Sequence, residues 1–221
     1  MVGVPTDGPP LGGTRLRWVF GFSIDGDLRF ISHHDTLRML RRTLARADLP
    51  VRFSEGFNPH PKVMIPLPRP VGIASHVEIV VIETDRPIDP SDALTRLQNN
   101  APGGMCFRSA RAFVPGESVT PTKATYLLDT QGPPSAELKA RVENLRQASA
   151  AVVTRTDVKT RTSREVDIRP SIEKIEAVDL GVEFTINIGS GGAAKPAEVA
   201  GWIGFDPATI NHRITRTKVD W

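Results

Sequence analysis

Cysteine is almost missing: Cys106 is the only one among 221 residues, which excludes a disulfide within the chain and any metal or iron–sulfur site built from cysteine alone. No run of about 18 apolar residues occurs, so there is no candidate for a membrane-crossing helix. The opening stretch MVGVPTDGPPLGG has neither the basic flank nor the apolar core of a secretory signal, and a cytoplasmic protein with no membrane partner is expected. Neither a Ser-His-Asp signature, a nucleophile elbow nor a kinase motif set is present, which removes the easily read catalytic chemistries. What is present is enough for a packed core. Hydrophobic residues make up 39% and charged residues 24%, a balance that excludes wholesale disorder.

Charge is unevenly placed. Residues 28 to 62 carry Arg29, Arg38, Arg41, Arg42, Arg46, Arg52 and Lys62 against Asp35, Asp48 and Glu55, whereas residues 76 to 92 set Glu78, Glu83, Asp85, Asp89 and Asp92 against Arg86 alone. A basic end suits a polyanion and an acidic end suits a basic partner.

Periodicity divides the chain into two similar halves. Residues 1–13, rich in Pro and Gly, read as a disordered lead-in. Leu16, Trp18, Phe20 and Phe22 alternate as one face of a strand, which Leu28 to Ile31 extends beyond a turn. Ser32 followed by Asp35 opens a helix with Leu37, Leu40, Leu44 and Ala47 on its apolar stripe. Val51 to Phe57 and Lys62 to Leu67 read as one strand interrupted by Asn58-Pro59-His60-Pro61, confined by its prolines to an edge, a bulge or a loop. Val77 to Glu83, a helix after Asp89-Pro90, and Cys106 to Val114 complete the first half. The second half repeats the order: strands from Ala124 and Ala151 flank a helix from Ser135, then come a hairpin of Glu165 to Ile175 with Val182 to Ile188, a helix from Pro196 and a strand from His212. The expected fold is α+β, with two tandem ferredoxin-like (βαββαβ) halves and antiparallel sheets, 14–116 and 121–221.

The residues richest in chemistry are Ser32-His33-His34-Asp35 and Gly56-Phe57-Asn58-Pro59-His60-Pro61-Lys62. A helix start exposes amides that favour an anion. If the proline-stiffened loop returns beside it, Ser32, His33, Asn58, His60 and Lys62 form a phosphate site. Arg38, Arg42 and Arg46, spaced i, i+4, i+8, extend it as a track along RNA, with Phe30, Phe53 and Phe57 as possible stacking surfaces. His33 and His34 project about 100° apart on a helix and do not converge on one ion, so no metal is expected, and no cofactor. Arg164, Asp167 and Arg169 form a second polar group on an alternating strand. Gly189-Ser190-Gly191-Gly192 suggests a phosphate-cradling turn without the P-loop lysine, and a flexible loop is the expectation.

The stretches SHHDTLRMLRRTLARADLPVRFSEGFNPHPK, PLPRPVGIASHVEIVVIE, VDIRPSIEKIE and KPAEV resemble the radical SAM-linked protein family over roughly residues 15 to 219. Its members stand alone or are fused to the C-terminus of a cobalamin-binding-domain radical SAM protein. His34 stands where leucine is common in the family, which favours His33 and His60 as the site histidines, and Lys195 stands where arginine often precedes the proline. The resemblance implies a radical SAM enzyme as partner and a non-catalytic subunit that binds or presents a substrate, expected to be RNA, for modification. Tandem ferredoxin-like halves are also similar in architecture to RAMP-type endoribonucleases, which gives the alternative of a metal-independent ribonuclease using His33 and His60. A third reading is a protein-docking module whose acidic 76–92 region faces the enzyme.

Overall fold

The computed structural model describes residues 16–114, 116–157, 159–189 and 193–221. The lead-in expected at 1–13, and Ser190, Gly191 and Gly192 of the glycine-rich stretch, lie outside the described residues.

The chain is α+β, with four α-helices and a mostly antiparallel sheet among the described residues. Strand β1 (Leu16–Ile24) leads through a 3₁₀ turn (Gly26–Phe30) into α1 (His33–Arg46). A two-residue β2 (Val63–Met64) precedes β3 (Ala74–Thr84), α2 (Pro90–Asn100) and β4 (Met105–Ala112). Then come β5 (Lys123–Asp129), α3 (Ala136–Gln147), β6 (Val152–Thr156), β7 (Ser163–Asp167), β8 (Ile172–Val178), β9 (Gly181–Asn187), α4 (Pro196–Trp202) and β10 (Ile214–Asp220).

Each helix begins where its sequence signals it. Ser32, Asp89 and Ser135 accept the amides of Asp35, Asp92 and Leu138, and Pro90 and Pro196 occupy first turns where no amide is needed. On α1, Leu40 and Leu44 are buried against Trp18, Phe20, Phe22, Val80 and Ile82, together with Ala93 and Leu97 of α2. A second core joins Val142 and Leu145 of α3 and Val199 and Ala200 of α4 to Tyr126, Leu128, Phe184, Ile186 and Ile214.

Among the described residues, eight of the strands, all but β6 and β7, form one sheet in the order β4-β1-β3-β10-β5-β9-β8, with β2 on β3, rather than two sheets set side by side. The junction is a short parallel pairing, Ala74 with Thr215 and Ser75 with Arg216. β10 and β2 occupy the same edge of β3, β10 at its start and β2 at Val81 and Ile82. Between them runs Pro66-Leu67-Pro68-Arg69-Pro70, a segment whose prolines lack the donors for a ladder. Its carbonyls are met by a side chain instead. Arg216, 1% exposed, donates to Leu67 O at 3.1 Å and Pro68 O at 3.2 Å, and its Nη1 lies 3.1 Å from Glu78 Oε1, an ionic contact outside hydrogen-bond geometry. Arg69 donates to the carbonyls of Arg29 and Ile73 at 2.6 Å and of Leu28 at 3.1 Å. Burial lowers its pKa, and burial raises that of the Tyr126 phenol, which lies beside Arg216. Gly72, at φ +91°, completes the seam, because a Cβ there would lie 2.9 Å from Asn211 Cβ.

Several expected strands are not formed. Leu28 to Phe30 wind into the 3₁₀ turn, and Val51 to Phe57 reduce to isolated bridges, Val51 with Thr84 and Phe53 with Pro61. The expected Glu165–Ile175 strand is broken at Arg169–Ser171, where Pro170 lacks a donor and the backbone turns as 3₁₀. Ser163–Asp167 therefore pairs with β6 in a separate two-stranded sheet, and only β8 meets β9. Among the described residues, no helix is long and apolar enough to cross a membrane.

Glu78→Ala leaves Arg216 buried without its counter-charge and is expected to cost about 3 kcal/mol, a fall of roughly 6–12 °C in Tm by thermal denaturation. Glu78→Leu with Arg216→Met restores part of that loss, because no charge is then stranded. An unchanged Tm for Glu78→Ala contradicts this role.

Candidate anion-binding site

The two segments richest in chemistry fold at opposite ends of the same strand. Ser32 and His33 follow β1, whose last residue Ile24 lies opposite Ser75 at the start of β3. His60 and Lys62 precede Val63, which lies opposite Ile82 near the end of β3. Seven residues of strand at ~3.3 Å each separate those positions by roughly 23 Å. The expected union of Ser32 and His33 with His60 and Lys62 is thus not formed, nor is a paired His33–His60 arrangement. The reason is topological: α1 runs back along the sheet and its C-terminus, through Val51 paired with Thr84, delivers the chain to the far end of β3. The start of α1 is also served by its own residues. Ser32 Oγ accepts from Asp35 N at 3.1 Å and lies 2.7 Å from Asp35 Oδ2, while Arg38 Nη1 bonds Asp35 Oδ1 at 3.0 Å.

What His60 and Lys62 meet instead is the flank of α1. A pocket of about 260 Å³ is lined by Arg17, Arg41, His60, Pro61, Lys62, Met64, Val81 and Glu83 among others. Each wall has a local cause. Arg17 stands opposite Glu83 in the β1–β3 ladder, and its guanidinium lies 4.1 Å from the Phe113 ring centroid, a cation–π contact. Lys62 is fixed by its backbone, donating to Arg52 O at 2.8 Å and accepting from Glu83 N at 3.1 Å. The loop before it is closed on itself: Ser54 N donates to His60 O at 2.9 Å, His60 N donates to Ser54 Oγ at 3.1 Å, and His60 Nδ1 lies 2.8 Å from that hydroxyl. Asn58 is exposed at the same loop, its carbonyl 3.4 Å from His60 Nδ1.

Cationic side chains outnumber carboxylates in the pocket wall. Among the described residues, Arg17, Arg41 and Lys62 form no ion pair, and Nε of both arginines is buried without a hydrogen-bond partner. Glu83 is the single carboxylate in the wall. Arg38, Arg42 and Arg46 are exposed, as a ridge should be, but only Arg41, between them in sequence, lines the pocket. Arg38 precedes both Arg41 and Arg42 by one turn, so the ridge runs alongside.

Other candidates have structural duties. Asp167 accepts from Ala151 N at 2.7 Å and Arg169 N at 3.0 Å, and those bonds hold its carboxyl below the usual range. Arg169 closes the end of α3, donating to the carbonyls of Arg146, Ala148 and Ile172. Arg164 is exposed on β7, opposite Arg155. The three do not form a second open site. The acidic 76–92 face is largely consumed as well: Glu78 is buried against Arg216, Asp89 caps α2 and Asp92 pairs with Arg96 at 3.1 Å. No group of three or more His, Cys, Asp or Glu able to hold a metal occurs among the described residues.

Fold and pocket together define an α+β protein with a cation-lined cleft beside a sheet edge. The chain belongs to a family described as an uncharacterized protein conserved in bacteria (DUF2344), whose model matches residues 16–196 and so takes in every pocket residue. That description says nothing of a radical SAM enzyme. No curated protein matches the chain.

Arg169→Ala removes the donors to three carbonyls, two of the bonds partly buried, and is expected to destabilise the fold by about 2 kcal/mol, read by urea unfolding, with no change in RNA retention. The Asp167 contribution is full at neutral pH, because a lowered folded pKa places its loss below the ordinary aspartate range. Wild-type stability as pH falls from that range downward should lose a component that Asp167→Asn lacks; identical pH profiles for the two contradict it.

Proposed function

We propose that this protein is a non-catalytic accessory subunit that binds RNA through the cation-lined pocket and presents it for modification to a radical SAM enzyme in the cytoplasm. The carrying observation is the convergence of Arg17, Arg41 and Lys62, none ion-paired among the described residues, with His60 on one small pocket. Unpaired cations around a half-buried cleft are costly unless an anion joins them, and a phosphate satisfies both the charge and the donors. The exposed Arg38, Arg42 and Arg46 ridge gives a phosphate chain a path away from the pocket. The enzyme partner rests on the sequence resemblance alone.

Two further inferences belong to this reading. Each half is taken as a ferredoxin-like unit, 14–116 and 121–221: the orders β4-β1-β3-β2 and β10-β5-β9-β8 support it, with the β6–β7 hairpin as an insertion. The ribonuclease reading finds less support, since its two histidines lie near opposite ends of β3.

Arg41→Ala with Lys62→Ala is expected to weaken retention of single-stranded RNA about tenfold and to lower the slope of log affinity against log salt by roughly 1. Fluorescence anisotropy across a salt series measures both. Equal affinity and slope for the wild type and the double variant would overturn the proposal.

A further inference from the structure

Phe57 is fully exposed, at 107% of its reference area, and Phe53 is 52% exposed. Both belong to the loop that delivers His60 and Lys62 to the pocket. An apolar ring held in water forgoes the gain of burial, and cores normally claim phenylalanine. This ring is not on a slack tail. The three Ser54–His60 contacts tie the loop at its base, and the Phe53–Pro61 bridge continues the closure. Pro59 and Pro61 narrow the backbone freedom of the same turn. Phe57 therefore stands at the apex of a fixed loop, three residues from an imidazole that lines a cation-rich pocket.

A protein or lipid partner would bury such a ring in apolar surroundings. The surroundings of this one are mainly cationic: Arg17, Arg41 and Lys62 lie in the pocket wall that His60 of the loop also lines, while Arg52, whose carbonyl accepts from Lys62 N, is paired at 3.5 Å with the exposed Glu55 of the loop. Exposed aromatic faces beside unpaired cations match a ligand with a flat π-face on one side of a phosphate. That is an unpaired nucleotide: the phosphate meets the cations and the base stacks on the ring. A duplex keeps its bases stacked inside and offers only the phosphate.

Resting on the anion-pocket reading, we propose that the Phe53–Lys62 loop selects single-stranded over double-stranded RNA, with Phe57 as the stacking platform for one unpaired base and Phe53 as its flank.

The test is fluorescence anisotropy with a 5′-labelled single-stranded RNA of mixed sequence and the same strand annealed to its complement. Wild type is expected to favour the single strand, and Phe57→Ala to lose about tenfold on the single strand alone. Its salt slope should stay at the wild-type value, since no phosphate contact is removed. Phe57→Trp should retain or improve single-strand binding. Because Phe57 packs against nothing, the fold is expected to survive, and an unchanged Tm confirms that. Equal loss on both RNAs, or none on either, overturns the inference, while the Arg41/Lys62 variant judges the pocket separately. Loss of binding to anionic vesicles, with RNA binding intact, would assign the ring to a membrane surface and overturn it too.

Discussion

The Arg216–Glu78 contact is the constraint on which the joined sheet depends. β3 and β10 share only two register pairs, too few to hold two halves by backbone bonding. The remaining edge of β3 faces a segment in which Pro66, Pro68 and Pro70 supply no donors. Arg216 resolves both problems: one guanidinium caps the Leu67 and Pro68 carbonyls and neutralises Glu78, while its backbone continues the β10 strand. Buried ion pairs are a poor source of stability compared with apolar packing. This one specifies, because only the register that sets Arg216 beside Ser75 leaves no charge alone.

The pocket follows from that division of β3. With β10 at its start and β2 at its end, the strand leaves the far edge to a short, proline-limited segment. A full-length partner strand would bury the flank of α1 against the sheet. A two-residue strand does not, and Arg41 instead looks across Lys62 and Met64 to Arg17 and Glu83. The prolines on either side of β2 keep it short and leave the cleft open, and the loop stiffened by Pro59 and Pro61 brings His60 and Lys62 to its wall.

Much of this architecture is legible in the residues. Ser32, Asp89 and Ser135 mark their helices because a short polar side chain before an apolar stripe has few other uses, and strict alternation marks β1 and β9. Arg169-Pro170-Ser171 misleads because charged and apolar residues alternate on both sides of a turn. The Ser32–His60 union fails for a different reason: local motifs carry no information on which end of a strand a loop reaches. His60 and Lys62 are legible as site residues; Arg41 is hidden by the more regular Arg38, Arg42, Arg46 spacing, and Arg17 by its place among apolar strand residues. Glu78 and Arg216 did leave a trace. Each occupies a core-facing parity position, Glu78 with Val80 and Ile82, Arg216 with Ile214, where a lone charge implies a buried partner.

The β3–β10 pairing joins positions about 140 residues apart in the chain. Loop closure over such a span makes this one of the last contacts to form. During synthesis the first half can assemble its own core and pocket while one end of β3 stays uncovered, awaiting β10. Until then Glu78 has no counter-charge and an unpaired strand edge faces the solvent, the arrangement most open to pairing with another chain. The interval before β10 leaves the ribosome is therefore when this protein is most vulnerable to misassembly.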